Sequence, residues 1–274
     1  MPVITINSVG LNYRDLGSHE NRTIVLAHPM LFGSDVFDYL VSELVNDFHL
    51  ILPDIHGHGQ SGYRAPLTLD EMTADYYRLQ TELNLTKVIW IGHSIGGMIG
   101  MRLALAHPEA IESLVLIATT ARLDPPQLRE QAWPLWEMFR VGHREDIVDA
   151  ALQFNFAPAT FRTQPQLIEY YRNKVIGYQN VEGVFEAVRA VFKRTDISDQ
   201  INAIKAPTLV IAGKEDTAIS PTESEVIASR IPNAQLALID EAGHMLVVEK
   251  PEELTQIIRE FLERKKAAGK GPGR

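Results

Sequence analysis

The chain has 274 residues, 45% of them hydrophobic and 22% charged, a globular composition that excludes disordered, collagenous and coiled-coil readings. Its 26 basic against 35 acidic side chains leave a formal charge of −9, the wrong sign for a nucleic-acid or anionic-membrane binder. With no cysteine there is no disulfide framework, no thiolate nucleophile and no Cys-ligated zinc.

The opening Met1-Pro-Val-Ile-Thr-Ile-Asn lacks a basic region followed by a long apolar one, so no signal peptide is expected and a cytoplasmic location is. Two short alternating segments, about Val3–Ser8 and Leu11–Asp15, are split by Gly10 and predict a hairpin at a sheet edge. Six apolar runs follow, each bounded by turn residues and separated by helical periodicity: Thr23–His28, Leu50–Ile55, Lys87–Ile91, Leu114–Ala118, Thr208–Ala212 and Gln235–Ile239. Continuously apolar strands alternating with helices imply a parallel sheet covered on both faces. Together with the hairpin they predict a mostly parallel eight-stranded α/β sheet. The most apolar stretch, Val88–Ala106, carries His93, Arg102 and four glycines, which argues against a membrane span.

Between Ala118 and Thr208 the pattern changes to helical periodicity with no buried strand. This stretch predicts a helical cap over 122–195, inserted into a core made of 1–121 and 196–264. The residues from 265 to 274, rich in Lys and Gly, are expected to form a disordered tail.

The strongest chemical signal is Val88-Ile-Trp-Ile-Gly92-His93-Ser94-Ile95-Gly96-Gly97, which reads strand, G-x-S-x-G, helix. Ser94 would sit on a turn too sharp for bulky neighbours, with its hydroxyl raised clear of the sheet and the helix N-terminus behind it. A serine hydroxyl is a weak nucleophile that needs a histidine base, itself oriented by a carboxylate. Both follow in the order this arrangement requires. Asp216 lies just past the Thr208–Ala212 run, and His244 just past the Gln235–Ile239 run. Glu215, Asp240 and Glu241 are the rival acids on the same turns. Among nine histidines, His93 adjoins the nucleophile but is expected to face elsewhere. The oxyanion would be held by the N–H of Ile95 and by one from the loop His28-Pro29-Met30-Leu31-Phe32. Pro29 has no N–H, so Met30 is the predicted second donor.

The Met30 side chain would border the acyl pocket, and Leu31, Phe32 and Met245 are further expected substrate-binding residues. Trp133 and Trp136 share one helical face in the predicted cap; that face suits an acyl tail, or simply packs the cap onto the core. Arg122 could meet a substrate carboxylate or be a solvated linker charge. Two patterns are decoys. Gly57, Gly59 and Gly62 spell G-x-G-x-x-G after a strand, but no helix can open before Pro66, and Thr68-Leu-Asp-Glu71 reads as the capping box of a later one. Asp54, His56 and His58 lack the fixed facing of a metal site and read as a structural turn.

With Asp54…Gly57-His58-Gly59…Ser61, the Gly92–Gly97 elbow, Ala206-Pro207-Thr208-Leu209-Val210-Ile211, and Gly243-His244 followed by Glu249-Lys-Pro251-Glu252, the chain resembles α/β-hydrolase-fold serine hydrolases over about residues 3–263. Ser94 separates it from haloalkane dehalogenases and epoxide hydrolases, whose nucleophile is aspartate. His107–Arg122 is similar to the esterase and lactonase branch, including 3-oxoadipate enol-lactonases and α/β-hydrolase acyl-homoserine lactonases. His28-Pro29 stands where the family usually has His-Gly, and Ile95 where cofactor-free haloperoxidases and C–C bond hydrolases often have Met. The resemblance implies a carboxylic-ester hydrolase working through an acyl-enzyme on Ser94, with lactones such as N-acyl homoserine lactones among its small-molecule substrates and no metal or organic cofactor. The same triad could instead serve a C–C bond hydrolase or a perhydrolase, and the same fold could serve a non-catalytic binder. Nothing in the sequence fixes an oligomeric state.

Overall fold

The computed structural model describes residues 1–268, with side chains described through Arg264. In chain order, β1 (Val3–Ile6) and β2 (Val9–Leu16) form the hairpin, and β3 (Thr23–Ala27) leads to α1 (Asp38–Leu44) and β4 (His49–Pro53). Next come α2 (Leu69–Glu82), β5 (Val88–His93), α3 (Ile95–Ala106) and β6 (Ile111–Ile117). The sheet order is β1-β2-β4-β3-β5-β6-β7-β8, with β7 at Thr208–Gly213 and β8 at Gln235–Ile239. Only the β1–β2 and β2–β4 pairings are antiparallel. The mostly parallel eight-stranded sheet is the one expected.

Strand alternation divides the core into two layers. Ile24 and Leu26, Ile89 and Ile91, and Val115 and Ile117 face one layer. Val25 and Ala27, Val88 and Trp90, and Leu114 and Leu116 face the other. Burial on both faces is why these runs carry no polar alternation. β8 is the exception: it forms the far edge, and Leu236 on it is 40% exposed.

Three local expectations need correcting. The hairpin turns at Asn7-Ser8, both with positive φ, and Gly10 lies inside β2. Asn tolerates the left-handed region that a tight hairpin turn demands, so no glycine was required there. β5 continues two residues beyond the predicted run, through Gly92 and His93, so Ser94 follows the strand directly. The last helix, α11 (Pro251–Ala268), carries the backbone through four of the residues expected in the tail, while residues 269–274 lie outside the described residues.

Between β6 and β7 the chain forms α4 (Pro126–Arg140), α5 (Arg144–Asn155), α6 (Pro158–Thr163), α7 (Pro165–Ile176) and α8 (Val181–Phe192). The two ends of this helical segment run side by side. The Ile197 N–H donates to the Ala121 carbonyl at 3.0 Å, and the Leu123 N–H to Asp196 Oδ2 at 3.1 Å. Arg194 is buried between them, donating to the Arg122 carbonyl at 2.6 and 3.1 Å, to Asp124 at 2.8 Å and to the Val191 carbonyl at 2.8 Å. Arg122 itself is not a free linker charge. It pairs with Glu223 on α9 (Pro221–Arg230) at 2.8 Å through Nη2 and 3.0 Å through Nε.

Further along, α8 lies directly on the turn after β4. A Cβ placed on Gly183 would stand 2.6 Å from the Gly57 Cα, closer than real Cβ atoms approach. Gly183→Ala is therefore expected to push α8 off the turn and cost roughly 1–3 kcal/mol as overpacking, read as a lowered urea midpoint with an unchanged slope.

Candidate active site

Ser94 joins the end of β5 to the start of α3 with φ 54° and ψ −116°, a left-handed conformation that L-residues avoid. The surroundings over-determine it. The Ser94 N–H donates to the Ile117 carbonyl at 2.9 Å, while its own carbonyl accepts from Gly97, Met98 and the Thr119 hydroxyl. The close approach is possible only because Gly96 has no side chain: a Cβ there would overlap the Ala27 carbonyl of β3. The Ser94 hydroxyl takes no hydrogen-bond partner among the described residues, and the residue is 8% exposed.

Past β7, the Asp216 carboxylate is fully buried. Its Oδ1 accepts the N–H groups of Ala218 and Ile219 at 2.9 Å each, and its Oδ2 lies 2.9 Å from His244 Nδ1. That contact separates Asp216 from its rivals: Asp240 pairs with Lys214, and Glu241 with Lys250. A carboxylate on Nδ1 fixes the ring's orientation and leaves Nε2 for chemistry. The sequence predicts that His93 faces elsewhere, and the structure corrects this. Its ring lies 5.1 Å from that of His244, and its Nε2–H donates to the His244 carbonyl at 2.8 Å. Burial holds His93 well below its ordinary pKa, so it supports the loop as a neutral donor.

The loop after β3 is held by two more buried histidines. His58 Nε2 accepts the Leu31 N–H at 3.0 Å while its Nδ1–H donates to the His56 carbonyl at 3.0 Å. His28 Nε2 accepts the Ile55 N–H at 2.8 Å while its Nδ1–H donates to the Pro29 carbonyl at 2.7 Å. Each ring is thereby fixed as a neutral tautomer. Leu31, at φ 72°, has its N–H consumed by His58. The N–H groups of Met30 and Ile95 have no partner among the described residues.

Burial pushes His28 down to about 4 and His58 to about 3. The unfolded chain binds a proton at each ring below about pH 6.5, and the folded chain only near those lower values. Stability is therefore complete above about pH 6.5 and falls as pH drops toward 4 and then 3, by roughly 3 kcal/mol for His28 and roughly 5 kcal/mol for His58. Thermal melts across this range should show that slope, with a shallower one in His58→Gln, whose amide can accept the Leu31 N–H without titrating. Equal slopes would remove His58 from the account.

One group has no assigned role in the sequence reading. Glu249 ends α10 (Leu246–Glu249) and is buried. Its Oε1 accepts the Gly243 N–H at 2.9 Å, beside His244. Its Oε2 accepts the Ala157 N–H at 2.8 Å and the Thr160 hydroxyl at 2.5 Å, both at the start of α6. Burial raises its pKa, and these donors oppose the shift. A lone acid in the apolar run Met245-Leu-Val-Val-Glu249 is the sequence signal that could have found it.

The predicted substrate residues separate. Leu31 and Phe32 are buried in the loop after β3, and Phe32 packs edge-on against Tyr171 at 5.0 Å. Met245 has no exposed surface and lies in the core, with its N–H on the Asn155 carbonyl, so it offers a ligand no surface here. Trp133 packs on Phe185 and Phe192 of α8 and borders an outer cleft of about 460 Å³ shared with Arg129, Pro134 and Lys193. Neither Ser94 nor His244 lines that cleft. Trp136 packs against Phe139. For these two tryptophans the bland alternative, packing among the helices, describes their contacts.

The decoys resolve into structure. No helix opens at Gly62: the chain reaches α2 only at Leu69, behind a Thr68–Glu71 capping box. Asp54, His56 and His58 take three different partners, namely Asn12, Asp75 and the Leu31 N–H. No helix among the described residues is long and apolar enough to cross a membrane.

Comparison with known proteins agrees with this fold. A solved thermophilic esterase from Thermogutta terrifontis is 30% identical, with a TM-score of 0.88 over 96% of this chain and 98% of that one. The enol-lactonase from Burkholderia xenovorans LB400 is 26% identical, with a TM-score of 0.88 over 96% of this chain and 100% of that one. A protein of Rhizobium rhizogenes named as a carbamate hydrolase, RutD, is 29% identical across 88% of this chain and 92% of its own length. The α/β hydrolase fold family matches residues 22–251. With a serine turn between β5 and α3, a mostly parallel eight-stranded sheet and a match over most of its length, the chain belongs to the α/β hydrolase fold family.

Proposed function

We propose that the protein is a serine hydrolase of carboxylic esters that forms an acyl-enzyme on Ser94. The observation that carries this reading is the Asp216–His244 contact at 2.9 Å, with the His244 carbonyl bonded to His93, the residue that precedes a serine held at φ 54°. His244 takes the Ser94 proton as Oγ attacks the ester carbonyl. The free N–H groups of Met30 and Ile95, with the α3 N-terminus behind them, receive the oxyanion. His244 then protonates the leaving alcohol, and afterwards activates the water that releases the acid. Asp216 holds the ring and stabilises its cationic form. The helices over 122–195, which touch the His244 loop through Asn155, Ala157 and Thr160, act as a cap over a site whose Ser94 and His244 are only 8% and 5% exposed.

Lactones, N-acyl homoserine lactones among them, are the cyclic members of the same substrate class. The similarity to the Burkholderia enol-lactonase supports them. The relative named as a carbamate hydrolase favours a second reading, in which the same serine attacks a carbamate carbonyl. Acid release on a pH-stat distinguishes the substrates, using a short and a medium-chain linear ester, an N-acyl homoserine lactone, and a carbamate followed by ammonia release. Fast release from the lactone makes lactonase the primary activity, and release from linear esters alone makes the protein a general carboxylesterase. Ammonia release alone transfers the assignment to carbamates. No turnover of any of them overturns the hydrolase reading in favour of a binder or of C–C bond chemistry.

A further inference from the structure

At the end of the sheet opposite Ser94, three side chains bring metal-ligating atoms together. Asp15 lies near the end of β2, His49 opens β4, and His19 sits in the loop between β2 and β3. β2 runs antiparallel to β4, with Asp15 opposite Ile51 and Leu16 opposite Leu50, so the C-terminal end of β2 meets the first residues of β4. His49 Nε2 is 2.9 Å from Asp15 Oδ1, His19 Nε2 is 3.4 Å from the same oxygen, and all three ligand atoms lie within 4.8 Å of one another. We propose that Asp15, His19 and His49 bind a borderline divalent transition-metal ion, Zn2+ foremost, that clips the β2–β3 loop to the start of β4.

The distances suit such an ion. Zinc holds nitrogen and carboxylate oxygen at about 2.0–2.2 Å, so tetrahedral ligand atoms stand about 3.3 Å apart. Both measured separations bracket that value, and His19, with its side chain 71% exposed, can swing to adjust the third. His49 is already ordered for the task. Its side chain is 3% exposed, and its Nδ1 lies 3.0 Å from the Thr23 hydroxyl. A hydroxyl can donate or accept. With Nδ1–H on Thr23, Nε2 presents its lone pair toward Asp15, which is the outer-shell arrangement that orients a metal-bound histidine. Without metal, the other tautomer places Nε2–H on Asp15 and Thr23 donates to Nδ1, so the buried ring is satisfied in both states. Two imidazoles and one carboxylate select zinc, nickel, cobalt or copper over magnesium and calcium, which prefer oxygen ligands. Three side chains and one water would complete the tetrahedron, and the site's place at the end of the sheet away from Ser94 gives the ion the role of a clip.

The test uses the full chain after chelator treatment, with Zn2+ titrated by calorimetry and by thermal melting, and Mg2+ as control. One Zn2+ per chain should bind and raise the melting temperature, while Mg2+ should do neither. His19→Ala removes only an exposed side chain, so its metal-free melting temperature and ester hydrolysis should match the parent. Its Zn2+ affinity should fall by at least about tenfold, the scale of loss seen even for outer-shell changes. Asp15→Asn should weaken binding similarly. Co2+ offers an independent readout, since its visible absorption should change on binding to the parent and not to His19→Ala. Failure to bind Zn2+, or equal affinity in parent and His19→Ala, overturns the proposal. Neither result bears on Ser94.

Discussion

Ser94→Ala is expected to lower kcat/KM for ester substrates by about 10⁴- to 10⁶-fold while leaving the melting temperature within a degree or two of the parent. The size follows from what the serine does alone. His244 and Asp216 can still activate water and the Met30 and Ile95 N–H groups can still polarise a carbonyl, but no acyl-enzyme can form. The unchanged stability follows from the hydroxyl's lack of partners among the described residues, and from alanine's accepting the same φ of 54° at similar cost. Intact mass after rapid quenching should show an acyl adduct on the parent and none on the variant. A variant that keeps more than about a tenth of parental turnover would remove Ser94 from the reaction and reopen the identity of the nucleophile.

Glu249→Ala should be strongly destabilising although Glu249 is not one of the reacting groups. It deprives the Gly243 N–H, the Ala157 N–H and the Thr160 hydroxyl of their acceptor in one step. Each buried orphan costs about 1–3 kcal/mol, and partial access of water to the vacated space reduces the sum to about 3–5 kcal/mol. For a chain of this size that is a melting-temperature loss of roughly 10 °C. Activity should fall as well, because Gly243 precedes His244 and the lost bond loosens the base. Glu249→Gln keeps the shape and one acceptor but turns an NH₂ toward N–H donors, so it should fall between parent and Ala. A loss under about 1 kcal/mol for Glu249→Ala would show that the carboxylate merely fills space.

Much of this arrangement was legible in the sequence because it is local. The elbow reads from contiguous residues, and Asp216 and His244 read from their position just past apolar runs. What stayed illegible depends on partners distant in the chain. Glu249 carries no assigned role in the sequence, since its donors come from residues 157, 160 and 243. The sequence leaves Arg122 between a substrate contact and a linker charge because its partner, Glu223, is a hundred residues away. Periodicity placed Trp133 and Trp136 on one face of α4 but could not say what that face meets, and it meets other helices. His93 was misread for a simpler reason. Strand alternation says which layer a residue joins, and not that a ring at the strand's end reaches across to another loop's carbonyl.

The guanidinium of Arg194 has an evolutionary corollary. By fastening residues 122–124 to 191–194, it makes a long excursion leave and rejoin the sheet at a single seam, much as a short hairpin would. The entropic cost of lengthening a loop whose ends are already joined grows only logarithmically, so helices between the two ends can be added, dropped or exchanged without shifting β6 or β7. The seam alone does not free the whole segment, because Asn155, Ala157 and Thr160 still hold the stretch from Gly243 to Glu249, so a grafted segment must keep those contacts as well.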